Sequence, residues 1–218
     1  MVLAVEPGYR ESTESWSGVL RDLKERGLNC PHLVVGDGNL GIWGALSNVY
    51  PDASEQRCWN HKIVNVLDKL PKKAQPQAKR RLQEIAYAES WPEAEEKRTL
   101  FLRWCQGEGY RAAGETLVRD WDRMVTFYRF PKEHWRHLRT TNVVESPFAA
   151  LRLRTDAAKR YKKVENATVV IWKMLMLAER RFRRLNAPEK LMQVYLGSGV
   201  GEAHEGAEIK QEEVLAVA

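Results

Sequence analysis

The 218-residue sequence has no run of 18 or more uncharged apolar residues, so nothing in it reads as a membrane-spanning helix. It also lacks the basic start, short apolar stretch and small-residue cleavage site of a secretory signal. Cysteine is scarce: Cys30, Cys58 and Cys105 are the whole supply, too few for a disulfide framework in a chain of this length. These absences set the expectation of a cytoplasmic protein with no membrane partner. No 20–50-residue repeat is visible, and charged residues make up 29% of the chain, as in ordinary globular material.

What is present is a lopsided charge. Residues 1–128 hold 18 Lys/Arg and 18 Asp/Glu, whereas residues 129–190 hold 16 Lys/Arg against 6 acids, and residues 191–218 hold 1 Lys and 5 Glu. A local excess of +10 over 62 residues suits a polyanionic partner; a solvated basic helix face is the plainer alternative. The densest part runs through Arg152, Arg154, Lys159, Arg160, Lys162 and Lys163.

Hydrophobic spacing predicts strand–helix–strand–helix–strand over residues 1 to about 58. "VLAVEP" (Val2–Pro7) reads as a short strand. The next segment (Ser12–Leu28) reads as a helix opened by a capping-box pattern, Ser12-x-x-Ser15 or Thr13 with nearby Glu14, and stopped at Gly27. "HLVVGDG" reads as a buried strand and turn, Asn39–Tyr50 as a helix, and "SEQRCW" as a third strand. This alternation is the signature of an α/β layer with parallel neighbours. Only helical periodicity follows, broken at Pro71, Pro92 and Gly107/Gly109. A long apolar helix is expected over Val164–Leu185, and the Gly- and Glu-rich tail from Gly197 is expected to be disordered.

Two carboxylates stand out. Asp37 falls at the C-terminal edge of a predicted strand, where α/β folds place their chemistry; on spacing alone an ordinary Asp-Gly turn or a helix N-cap is the plainer account. Glu145 is a lone acid between Arg136/Arg139 and Arg152/Arg154. Asn142-x-x-Glu145 could form a capping box, or a helix could begin at Pro147 with Ser146 as its cap.

Four stretches in order, "EPGYRESTESWSGVLRDLKERGL", "VVGDG" with Gly41, "YPDASEQRCWNH" and "LRTTNVVESPFAALR", resemble the catalytic domain of Mutator-type bacterial insertion-sequence transposases. The similarity spans roughly residues 1–190. It implies an α/β, ribonuclease-H-like fold with a large all-α insertion. The expected units are a partial core (1–62), the insertion (63–128), basic C-terminal helices that complete the core (129–196) and an acidic tail (197–218).

It also implies an Asp, Asp, Glu triad binding Mg²⁺ or Mn²⁺. Asp37 matches the second Asp and Glu145 the Glu; both would be metal ligands and catalytic. Cys58 and His61 match the family's Cys-x-x-His motif, with His61 contacting the scissile phosphate or its water. Hard divalent cations favour such carboxylates, and two of them can clamp the attacking and leaving oxygens of a phosphodiester. Arg139, Arg152, Arg154, Lys159, Arg160, Lys162 and Lys163 would then hold DNA phosphates. The partners implied are transposon-end and target DNA and further copies of the chain.

Two departures qualify the resemblance. The family's first Asp lies on a strand upstream of Val2–Pro7, and no Asp precedes Asp22 here. The chain is therefore expected to be an N-terminally truncated copy lacking its first strands, or a non-catalytic DNA-binding remnant that modulates a full-length transposase. Where relatives follow the Glu and a small residue with Leu and Asn, this chain has Pro147 and Phe148. A zinc set of Cys58, His61, His134 and His137 is the rival reading of the Cys-x-x-His pair. Trp91, Trp104, Trp121 and Phe127 read first as core, with stacking on an unpaired base as the alternative.

Overall fold

The computed structural model describes residues 1–7, 12–157 and 161–197. The expected disorder of the tail, from residue 198 on, lies outside the described residues. Helix α1 (Thr13–Glu25) begins where Ser12 accepts the Ser15 backbone N–H. It ends at Gly27, whose φ of +92° lets Leu28 N reach back to Leu23 O at 2.9 Å. Strand β1 (Leu33–Gly36), helix α2 (Leu40–Val49) and strand β2 (Ser54–Arg57) follow. The strands pair in parallel, from Leu33 opposite Ser54 to Gly36 opposite Arg57. Trp43 of α2 lies so close to Gly36 that a Cβ there would meet its ring at 2.9 Å. Trp43, Leu46, Val49 and Tyr50 form a small core against Leu20 and Val34.

The expected first strand is absent. Residues 1–7 carry no strand, and Arg26 Nη2 donates to the Leu3 carbonyl at 3.0 Å. A strand is stable only with a paired neighbour, and the described sheet has two members, β1 and β2.

From β2 the chain passes straight into a helical body: α3 (Trp59–Leu67), α4 (Gln75–Ala86), α5 (Trp91–Gly107), α6 (Arg111–Val118) and α7 (Trp121–Val125). Its core is separate from that of α2, with Leu82, Ile85, Phe101, Leu117, Met124 and Phe127 sealed from solvent. Trp121 and Phe127 belong to it, while Trp91 and Trp104 pack on its rim, so core packing accounts for these four aromatics.

Two polar junctions tie the sheet to this body. Buried Gln56 on β2 donates to Met124 O at 3.1 Å and accepts from Phe127 N at 2.8 Å, while Trp59 Nε1 also donates to Met124 O, at 2.9 Å. Beside it, Asp120 sits in the left-handed region (φ 68°) between α6 and α7 and binds Arg57. The ammonium of Lys62, 1% exposed, reaches the Arg119 carbonyl and lies 3.4 Å from Asp120. Burial and then the Arg57 charge pull Lys62 down to about 8, against the opposing pull of Asp120. Burial pushes Asp120 upward, but Lys62 and Arg57 outweigh it and hold the carboxyl below its ordinary range.

The remainder is two 3₁₀ turns (Thr126–Arg129, Lys132–His134), α8 (Trp135–Leu138), α9 (Asn142–Ala157), α10 (Val164–Glu179), another 3₁₀ turn (Pro188–Lys190) and α11 (Leu191–Tyr195). Helix α10 stops six residues short of the expected Leu185 and leaves Val169, Met176 and Leu177 exposed. No helix among the described residues is long and apolar enough to cross a membrane.

Replacing Gln56 with Leu orphans the buried Phe127 N–H and should cost about 2 kcal/mol in urea unfolding. Lys62 carries a pH signature. Its folded value near 8 lies below an unfolded value of about 10.4, so the unfolded chain holds more protons between them and Lys62 favours folding increasingly as pH rises through that window. The wild-type stability minus that of Lys62→Met should therefore increase between about pH 7.5 and 9.5. A flat difference would mean that the ammonium is solvated.

Candidate functional site

The C-terminal ends of β1 and β2 lead into one small neighbourhood. Asp37 directly follows β1; it is exposed, and its Oδ1 accepts the Asn39 N–H at 3.0 Å. Gly38 then turns with φ +102°, its Cα so near the Arg57 guanidinium that a Cβ would sit 2.2 Å from Nε. Only glycine satisfies both conditions. At the end of β2, Cys58 N extends the ladder by donating to Gly36 O at 2.7 Å. Cys58 therefore begins α3 in a fixed pose, and His61 falls one turn later on the same face.

Glu145 reaches this neighbourhood from 84 positions downstream of His61. Trp59 N donates to Arg139 O at 3.1 Å, the Thr141 N–H donates to Cys58 Sγ at 3.3 Å, and Thr141 Oγ1 lies 3.2 Å from the same sulfur. Thr141 immediately precedes α9, and its Oγ1 also contacts Glu145 Oε1. His61 Nδ1 stands 3.8 Å from the same oxygen. The nearest ligand atoms of Cys58, His61 and Glu145 all lie within 4.8 Å of one another, the one such group of three among the described residues; Asp37 stands outside it.

Neither expected cap at Glu145 forms. The helix starts at Asn142, with Pro147 inside it. The Asn142 amide oxygen accepts from Asn60 Nδ2 at 2.8 Å, and Glu145 meets the Thr141 side chain instead of folding back on a backbone N–H.

The four-residue zinc set is not assembled. His134 is buried with Nε2 3.1 Å from Ala187 O, and His137 Nε2 accepts the Asn186 N–H at 3.2 Å. Both rings are engaged with the segment after α10, away from Cys58.

The basic residues divide into three groups. Arg152 and Arg154 are exposed on α9, and Lys162 and Lys163 are exposed just before α10. At 100° per residue, Arg152 shares the Glu145 face, whereas Arg154 points to the opposite side. Lys159 and Arg160 lie outside the described residues. Arg139, expected on phosphate, is 8% exposed, with its guanidinium 4.5 Å from the Tyr87 ring and 4.9 Å from that of Phe127. Burial lowers its pKa. It anchors the segment that delivers Thr141 rather than presenting a free cation.

The structure adds Arg180, Arg181 and Arg183 to the cations read from the sequence. A groove of about 1270 Å³ is lined by Arg136, Arg154, Arg180, Arg181 and Arg183, with Phe182 among its apolar walls. The repeated arginines of "ERRFRRL" were the available signal.

Against known proteins, the chain matches the family model described as "Transposase, Mutator family" over residues 1–184. It is 44% identical over 197 residues to the transposase for insertion sequence element IST2 of Acidithiobacillus ferrooxidans, covering 90% of this chain and 66% of that protein. Identity to the transposase for insertion sequence element IS6120 of Mycolicibacterium smegmatis is 42% over 197 residues, covering 90% and 61% respectively. The transposase for ISRM5 of Rhizobium meliloti is 31% identical over 170 residues, 76% of this chain and 41% of the relative. The chain thus spans less than two thirds of the length of each of these relatives. With a family model covering most of the chain, the order of motifs read above is not a coincidence of composition: the chain belongs to the Mutator family of transposases.

Proposed function

We propose that this chain acts on DNA in the transposition of a bacterial insertion sequence, with Asp37 and Glu145 as carboxylates for Mg²⁺ or Mn²⁺ within a ribonuclease-H-like core. The observation that supports this most is the placement of Glu145. The single acid of a basic segment is held by Thr141 against the ends of two parallel strands, the edge from which Asp37 also emerges. The two acids fit a hard cation in kind: both are exposed, and although Asp37 uses Oδ1 on Asn39 and Glu145 uses Oε1 on Thr141, a carboxylate has further lone pairs to offer. Such an ion would polarise a phosphodiester and activate the attacking oxygen. The chain's own contribution is to orient these acids, to place His61 beside Glu145, and to hold phosphate oxygens with Arg152, Arg154, Lys162 and Lys163.

A second reading has its own support. Among the described residues, no group of three carboxylates gathers, whereas two-metal sites are usually richer in acids. In this reading the chain binds DNA and acts alongside a longer transposase copy.

Two measurements follow. Duplex binding should weaken with salt at a log–log slope near −5, as about six neutralised phosphates require. Arg152→Ala with Arg154→Ala should reduce that slope by about 2 without changing sequence preference; a slope near zero would leave the basic face merely solvated. On the second reading the purified chain binds DNA yet gives no strand transfer in Mg²⁺ or Mn²⁺. Measurable joining that disappears in Glu145→Gln would refute the second reading and establish the first.

A further inference from the structure

The cluster of Cys58, His61 and Glu145 has a chemistry that the carboxylate reading does not use. A thiol, an imidazole and a carboxylate are the donors of a zinc-class cation and a poor set for Mg²⁺, which takes oxygen and keeps its waters. We propose that these three side chains form a binding site for a borderline-soft divalent cation of the Zn²⁺ or Co²⁺ type, with a fourth position open to solvent.

Three observations carry this. The donors are built into the fold rather than gathered on a loose surface. Cys58 is fully buried and fixed by its backbone bond to Gly36, His61 follows one turn along α3, and Glu145 is tethered through Thr141. Next, His61 Nδ1 is shielded from solvent and has no hydrogen-bond partner among the described residues, although it faces Glu145 Oε1 at 3.8 Å. That distance is too long for a hydrogen bond and close to the ~3.4 Å that two donors show across a tetrahedral zinc ion. Finally, the Thr141 N–H donates to Cys58 Sγ at 3.3 Å, an outer bond of the kind that orients a metal-bound sulfur.

Access is from one side. His61 and Glu145 are 42% and 49% exposed while the sulfur is sealed, so a cation enters past the imidazole and carboxylate and leaves its fourth position facing outward. With all separations within 4.8 Å, ligation needs a contraction of at most about an ångström. Binding releases the thiol proton to solvent as the sulfur becomes a thiolate ligand. If Glu145 also serves a hard metal, as proposed above, the two cations compete for one carboxylate. The site itself does not depend on that reading.

Cobalt(II) provides the test, with no DNA or activity needed. Titrating the metal-free 218-residue chain should develop a near-ultraviolet thiolate-to-cobalt charge-transfer band and visible bands of a four-coordinate ion, saturating at one equivalent. Millimolar Mg²⁺ should leave them in place and Zn²⁺ should bleach them. Cys58→Ser should abolish the charge-transfer band, whereas Cys30→Ser should retain it. Glu145→Gln, at an exposed position that cannot unfold the chain, should weaken cobalt affinity at least tenfold and shift the visible bands. The proposal is overturned if no charge-transfer band forms, if it survives Cys58→Ser, or if Glu145→Gln binds cobalt as tightly as wild type. A band that survives the loss of Glu145 with unchanged affinity would mean that cysteine binds cobalt without the cluster.

Discussion

The structure depends on the junction where β2 becomes α3. Within Gln56–Trp59 the chain completes the parallel ladder through Cys58 N and Gly36 O, fastens the sheet to the helical body through Gln56 and Trp59, and receives the segment before α9 through Trp59 N and Cys58 Sγ. Each of these bonds involves a buried polar group, so breaking one leaves a donor or acceptor without water. That cost lets four residues hold the sheet to elements 65 to 83 positions away.

Electrostatics at this junction is layered. The inner layer is the set of Arg57, Lys62 and Asp120, two cations on one acid, where burial already weakens the hold of Lys62 on its proton. A buried ion set of this kind contributes little net stability and penalises the loss of any one member. Arg57 also lies against Gly38, the residue after Asp37, so the same set that joins sheet to helices bears on the loop carrying the exposed acid. The outer layer is the exposed basic surface of α9 and the groove beside α10. Glu145 stands between the two layers, held by a hydroxyl rather than by an arginine, and so remains chemically available.

Arg139 shows how tertiary context reassigns a residue. Its charge contributes to the basic excess of the segment, yet its side chain stacks between two rings of the helical body and its carbonyl holds α3. A buried guanidinium over aromatic faces retains favourable interaction where a compact ammonium would not. Its role is to place Thr141, and Thr141 in turn sets both the sulfur of Cys58 and the carboxylate of Glu145.

Local spacing settles what depends on neighbours a few positions apart. Ser12 and Gly27 bound α1, the apolar run before Asp37 makes β1, and Cys58 and His61 share a helical face because three residues separate them. The order of the four motifs was enough to identify the family. Whatever needs a distant partner is set by long-range packing instead. Val2–Pro7 has strand-forming residues but no paired neighbour, and no strand forms. His134 and His137 have ligand spacing but turn to Ala187 and Asn186. That Glu145 would meet Cys58 and His61 could not be read from a separation of more than 80 residues, because local periodicity sets the face of a helix and not what the rest of the chain folds against it.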